Sequence, residues 1–109
     1  MSLITVKICL ALILHFVADF VFQSDEIAIN KSKCNKTLAL HCLIYSVFFL
    51  AFGPLFTLLV FISHFITDYF TSRINAFLYT TSRHYFFVAI GADQLIHQLT
   101  LIGLLCYLH

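Results

Sequence analysis

Apolar residues run along the chain in four stretches: Leu3 to Phe22, Thr37 to Phe52, Leu55 to Thr71 and Tyr85 to Leu108. Long uninterrupted runs of this kind predict helices whose surroundings are lipid rather than water. Gly53-Pro54 divides the second stretch from the third. Read as one helix, residues 37–71 would extend roughly 50 Å at ~1.5 Å per residue, too far for a hydrocarbon core of about 30 Å. A tight turn is expected there instead, with Pro54 in the first turn of the following helix. The second and third stretches are then short for a crossing and need local thinning or slightly longer helices. The fold expected is all-α: an integral-membrane bundle of four transmembrane helices in a single domain covering residues 1–109.

Two polar stretches separate these segments. Gln23 to Lys36 holds Asp25, Glu26, Lys31, Lys33 and Lys36, and Ser72 to His84 holds Arg73, Arg83 and His84. Four crossings put both stretches on one side. They carry all the Lys and Arg residues except Lys7, so the positive-inside rule makes that side cytoplasmic and places both termini outside an inner membrane.

Composition supports the same picture. The chain is 61% hydrophobic and only 10% charged, far from the roughly 25% charge of a soluble domain. With a net charge of +1, nothing in the composition points to nucleic acid as a partner. Cys9, Cys34, Cys42 and Cys106 form no C-x-x-C pair, so neither a disulfide framework nor a thiolate zinc site is expected, and Cys9, Cys42 and Cys106 read as small packing residues. Ile8 to Leu14 behind Lys7 has the look of a signal peptide. However, the run continues into His15 and Asp19 with no small-x-small cleavage site, so the segment is expected to remain as a helix.

An internal repeat follows from the polar residues within the apolar stretches. His15-Phe-Val-Ala-Asp19-Phe matches His64-Phe-Ile-Thr-Asp68-Tyr, and each copy precedes a further helix carrying His41 or His97. The first and third crossings share an orientation, so this is a parallel two-helix repeat.

These residues are the candidate chemistry. Three of five acidic residues (Asp19, Asp68, Asp93) and four of six histidines (His15, His41, His64, His97) lie within apolar stretches. His15/Asp19, His64/Asp68 and Asp93/His97 are each four apart and so share a helix face. Counted from the loop ends, Asp19 and Asp68 lie about 5 Å deep, His41 about 6 Å, His15 and His64 about 11 Å, and Asp93 and His97 about 12 and 18 Å. All seven fall in the cytoplasmic half. Three carboxylates within spans cost very roughly 8 to 10 kcal/mol before compensation, and no Lys or Arg within the spans is placed to neutralise them. A divalent metal is the expected compensation: imidazole and carboxylate suit Zn²⁺, Mn²⁺ or Fe²⁺, as one or two ions. The ligand candidates are His15, Asp19, His64, Asp68, Asp93 and His97. His41 and Asp93 are the catalytic candidates, Gln23 and Gln94 could orient carboxylates from behind, and Lys31, Arg73 and Arg83 could hold a phosphate. The same residues would also serve a proton or cation path, or a polar network that only fixes helix packing.

The motifs H-F-V-A-D-F-V-F-Q (from His15), A-I-N-K-S-K (from Ala28), H-C-L-I-Y (from His41), S-H-F-I-T-D-Y (from Ser63) and G-A-D-Q-L-I-H (from Gly91), in this order, resemble a family of small bacterial and phage integral-membrane proteins of unknown function. More distantly, the His and Asp motifs on membrane helices resemble membrane-bound metal-dependent hydrolases. The reaction expected of a metal held by these residues is hydrolysis, and a site opening at the level of the headgroups makes a lipid or lipid-linked phosphate or ester the expected substrate. A transporter or channel, and a non-catalytic membrane partner, are the alternatives. Membrane lipid is the expected surrounding, and a bundle this thin makes a homo-oligomer an expectation too.

Overall fold

A computed structural model describes all residues, 1–109, as five helices with no strands. Helix α1 covers Leu3–Phe16 and runs on as a wider π turn over Val17–Val21. Helices α2 (Asp25–Asn30), α3 (Asn35–Val47), α4 (Pro54–Thr81) and α5 (Arg83–Leu108) follow, with a short 3₁₀ turn at Leu50–Phe52.

Local sequence explains the boundaries. Ser2, Ser24 and Ser82 each cap a helix by accepting from the amide three residues on, Thr5, Ile27 and Tyr85. Gly53 sits at φ +106°, a conformation that suits glycine, and Pro54 opens α4 immediately after it. The turn expected at Gly53-Pro54 is therefore present.

The polar stretch from Ser72 to His84 is not the loop its composition predicts. α4 continues through it to Thr81, and Ser82 alone separates α4 from α5. No glycine or proline lies between Pro54 and Gly91 to stop a helix. Leu3–Val21, Pro54–Thr81 and Arg83–Leu108 are long and apolar enough to cross a membrane. α3, with 13 residues, spans only about 20 Å and is not.

α4 packs between α3 and α5, and α1 lies along α5. The buried positions recur every four residues. In α4 they are Phe56, Val60, His64, Asp68 and Ser72; in α5 they are Leu105, Leu101, His97 and Asp93. Both stripes change from apolar to polar at the same level, because the two helices run antiparallel. One half of the interior is thus an apolar core of Ala11, Phe49, Phe52, Phe56, Val60, Leu101, Leu105 and their neighbours, and the other half holds histidines and carboxylates. Leu10, Ile13, Phe16, Phe20, Leu58, Ile62, Ile66, Leu95 and Leu99 point outward and are exposed. Of the cysteines only Cys42 packs inside; Cys9 and Cys106 are on the outer surface.

Candidate metal centre

Every α-helix except the short α2 contributes to the polar half. The π turn closes with a bond from the Phe22 amide to the Val17 carbonyl, five residues back, and within it both Ala18 and Asp19 are buried. π turns in otherwise regular helices are frequent at functional sites.

Asp19, His41, His64 and Asp68 bring one ligand atom each to within 4.8 Å of one another, all buried. His41 Nε2 lies 3.0 Å from His64 Nε2, 3.1 Å from Asp19 Oδ1 and 3.2 Å from Asp68 Oδ2. His64 Nε2 lies 3.5 Å from Asp68 Oδ2 and 3.7 Å from Asp19 Oδ1. Four ligands about 2.0–2.1 Å from a tetrahedral ion stand about 3.3 Å apart, so these separations match a coordination shell. They do not match a closed hydrogen-bond network. One imidazole N–H cannot serve three acceptors, and Asp19 Oδ1 is left buried with no hydrogen-bond partner.

Asp68 is shared with a second group. Its Oδ1 lies 3.2 Å from His97 Nε2, which in turn is 3.1 Å from Asp93 Oδ1. Asp68, Asp93 and His97 form a second set of ligand atoms within 4.8 Å. The His64 and His97 rings are adjacent, with centroids 4.2 Å apart.

Lys31 corrects the expectation that no basic residue neutralises the acids. It lies just after α2, in the segment between α1 and α3, and its Nζ reaches in to Asp68 Oδ2 at 3.2 Å while also donating to Gln23 Oε1 at 3.1 Å. Burial pulls the Lys31 ammonium down, but the charges of Asp68 and Asp19 outweigh it and hold the group above its ordinary value of 10.5. One lysine still faces three carboxylates.

His15 is not brought into either group, although the repeat pairs it with His64. Gln94 donates from Nε2 to Asp93 Oδ2 at 3.3 Å, so its Oε1 accepts from His15 Nε2 at 2.7 Å. His15 Nδ1 then carries the lone pair and accepts from the Tyr45 hydroxyl at 2.7 Å. Tyr45 lies flat on the His64 ring, centroids 3.8 Å apart. It is a member of the site that sequence reasoning missed, and its place four residues after His41 on α3 was the available signal.

Arg73 and Arg83 stand apart. Arg73 stacks on Tyr69 at 3.8 Å and donates to the Tyr69 carbonyl and to Asn35 Oδ1, both at 2.8 Å, tying α4 to the start of α3. Arg83 opens α5 ten residues before Asp93, about 15 Å away along the helix axis.

The fold and the site together define an all-helical protein with apolar flanks and a buried His/Asp centre in which residues that could hold a metal ion converge. The family model described as a protein of unknown function, DUF3307, matches residues 8–108, and the chain belongs to that family. No curated protein and no solved structure matches it.

Proposed function

We propose that the chain is a membrane-embedded, metal-dependent hydrolase acting on a lipid or lipid-linked phosphate or ester at the cytoplasmic face of the inner membrane. The observation that carries this reading is the four-residue group Asp19, His41, His64 and Asp68, whose ligand atoms lie within 4.8 Å while a buried carboxylate oxygen lacks any partner.

Helix length sets the depth of this group. α4 extends about 42 Å, more than a hydrocarbon core of about 30 Å requires. If the core begins at Pro54, Asp68 lies about 21 Å along the helix and so about 9 Å beneath the cytoplasmic edge. The α4–α5 turn then projects into the headgroup layer, where the exposed Phe77, Tyr79, Tyr85 and Phe87 suit an aromatic belt. Local thinning of the bilayer would let α3 and its 3₁₀ extension serve as a short second crossing beside the three long helices, and the reading then has residues 23–36 and the Ser82 turn on the cytoplasmic side and the termini outside.

A divalent ion in this group would activate a water and polarise a phosphoryl or ester oxygen. Asp19, His41, His64 and Asp68 would hold it. Gln23 and Gln94 orient Lys31 and Asp93, and the Lys31 ammonium is the one basic group close enough to meet an anionic headgroup. Asp93, held by Gln94, stands outside the four-residue group and beside His97.

A transporter using the same residues would need polar groups continuing to the far side. There the interior is Phe49, Phe52, Phe56, Val60, Leu101 and Leu105, which favours a one-sided site. Purified protein should contain a divalent metal and hydrolyse a lipid phosphate or ester; Asp68→Asn should lose both, and Asp19→Asn should lose the ion of the four-residue group and the activity. A metal-free protein under metal-replete conditions would refute this function.

A further inference from the structure

We infer that the chain binds a second divalent cation, held by Asp68 Oδ1, Asp93 and His97, with Asp68 bridging it to an ion in the four-residue group. This deepens the hydrolase reading and rests on it.

Asp68 joins the two groups. Its two oxygens face different partners: Oδ2 lies against His41 and His64, and Oδ1 lies against His97. A carboxylate whose oxygens each belong to a separate set of ligand atoms is the usual bridge of a two-metal site, where the ions stand about 3.5–4 Å apart.

The second observation is Asp93. Its side chain is only 9% exposed, and its Oδ1 has no hydrogen-bond partner although His97 Nε2 is 3.1 Å away. The His97 nitrogen bonds Asp68 Oδ1 instead, and a single N–H cannot align with both oxygens. A buried carboxylate oxygen aimed at a nitrogen already engaged elsewhere needs a charge between them. A cation coordinated by the His97 lone pair satisfies both carboxylates at once, whereas a proton satisfies one.

Charge points the same way for the substrate. Asp19, Asp68 and Asp93 bring three negative charges against one from Lys31. With neutral histidines, a first divalent ion makes the site neutral and a second makes it positive by two. A doubly positive pocket suits a phosphate ester over a neutral carboxylic ester.

The test is metal stoichiometry in detergent-purified full-length protein loaded with Mn²⁺, together with electron paramagnetic resonance. Wild type is expected to bind about two ions with an exchange-coupled spectrum, as in bridged two-metal sites. Asp93→Asn and His97→Gln are expected to bind about one ion, uncoupled, with the same loss of the second site in each. The coupled spectrum of the wild type reads the bridge even if a variant fails to fold. One uncoupled ion in the wild type overturns the second site and leaves the first standing. Two ions retained in Asp93→Asn overturn the residue assignment. No ion at all overturns the hydrolase reading as well.

Discussion

Lys31 and Asp68 are 37 residues apart in sequence, yet the ammonium nitrogen of one lies 3.2 Å from a carboxylate oxygen of the other. The lysine side chain is 17% exposed and the aspartate 2%, so the pair forms where the polar interior meets the segment that covers it. An ammonium at this distance from a ligand oxygen competes with a metal ion for the same charge.

Lys31→Met should therefore have two opposite effects. The metal-free protein should lose stability, by about 2 kcal/mol for a lost charged hydrogen bond. Divalent metal should bind more tightly, by about tenfold for ~1.4 kcal/mol of removed competition. Melting curves in chelator and a metal titration measure the two. Weaker metal binding in the variant would show that Lys31 supports the ion rather than competing with it.

The same pair has a defined pH dependence. The folded-state value of Lys31 is raised, so its contribution is fully present below the unfolded value of 10.5 and is lost as pH rises through the higher folded value. The stability gap between wild type and Lys31→Met should stay constant from neutral pH to about 10 and close above that range. A gap that closes below pH 9 would contradict the pairing.

Asp19→Asn and Asp68→Asn should differ in a way that maps the ligands. Asp19 serves the four-residue group alone, and Asp68 serves both groups. An ion at 100 times its Kd stabilises the fold by about 2.7 kcal/mol. Asp68→Asn should abolish this shift, whereas Asp19→Asn should keep the part due to Asp93 and His97. Thermal melting with and without Mn²⁺ decides it, and equal loss in both variants would merge the two groups into one.

Tyr45→Phe should cost about 1–3 kcal/mol, because His15 Nδ1 loses its donor in a buried position. Metal content should not change in this variant or in His15→Gln. Elemental analysis of the two proteins is the check, and a missing ion in His15→Gln would return His15 to the ligand set.

Cys34 offers a probe of topology. It is fully exposed just ahead of α3, and the Thr37 amide, hydroxyl and the Lys36 amide draw its thiol below the ordinary 9.0, though without forming a full hydrogen-bonded cap. Membrane-impermeant maleimide should label it from the cytoplasmic face only, with the rate rising at a lower pH than for an unperturbed thiol. Cys9 and Cys106, on the apolar surface, should stay unlabelled. Labelling of Cys34 in right-side-out vesicles would invert the orientation.

Much of the site was legible because it is written in helical spacing. His64 and Asp68, and Asp93 and His97, share faces at four-residue intervals, and the structure turns those faces together. Gly53-Pro54 announced its turn for the same kind of reason, a conformation few residues adopt. Three features were not legible. Lys31 sits in a polar segment where a lysine ordinarily reports topology, and only the return of that segment over the bundle brings it to Asp68. Polarity alone makes a loop of the stretch from Ser72 to His84, although the lack of glycine and proline favours the helix that forms. His15 and His64 match in the repeat but part in space, because Tyr45 and Gln94 claim both nitrogens of His15 and have no counterparts around His64.

The π turn at Val17–Val21 makes the centre depend on the number of residues as well as their kind. Such a turn is what one surplus residue does to an α-helix. Removing a single residue from it would restore the regular pitch, leaving Gln23 beyond the turn near its place but turning the residues inside it, Asp19 among them, to new angles around the axis. Relatives that keep every histidine and aspartate but differ in length between His15 and Gln23 would have the ingredients of the site without its assembly, a difference visible to deletion scanning and invisible to alanine scanning.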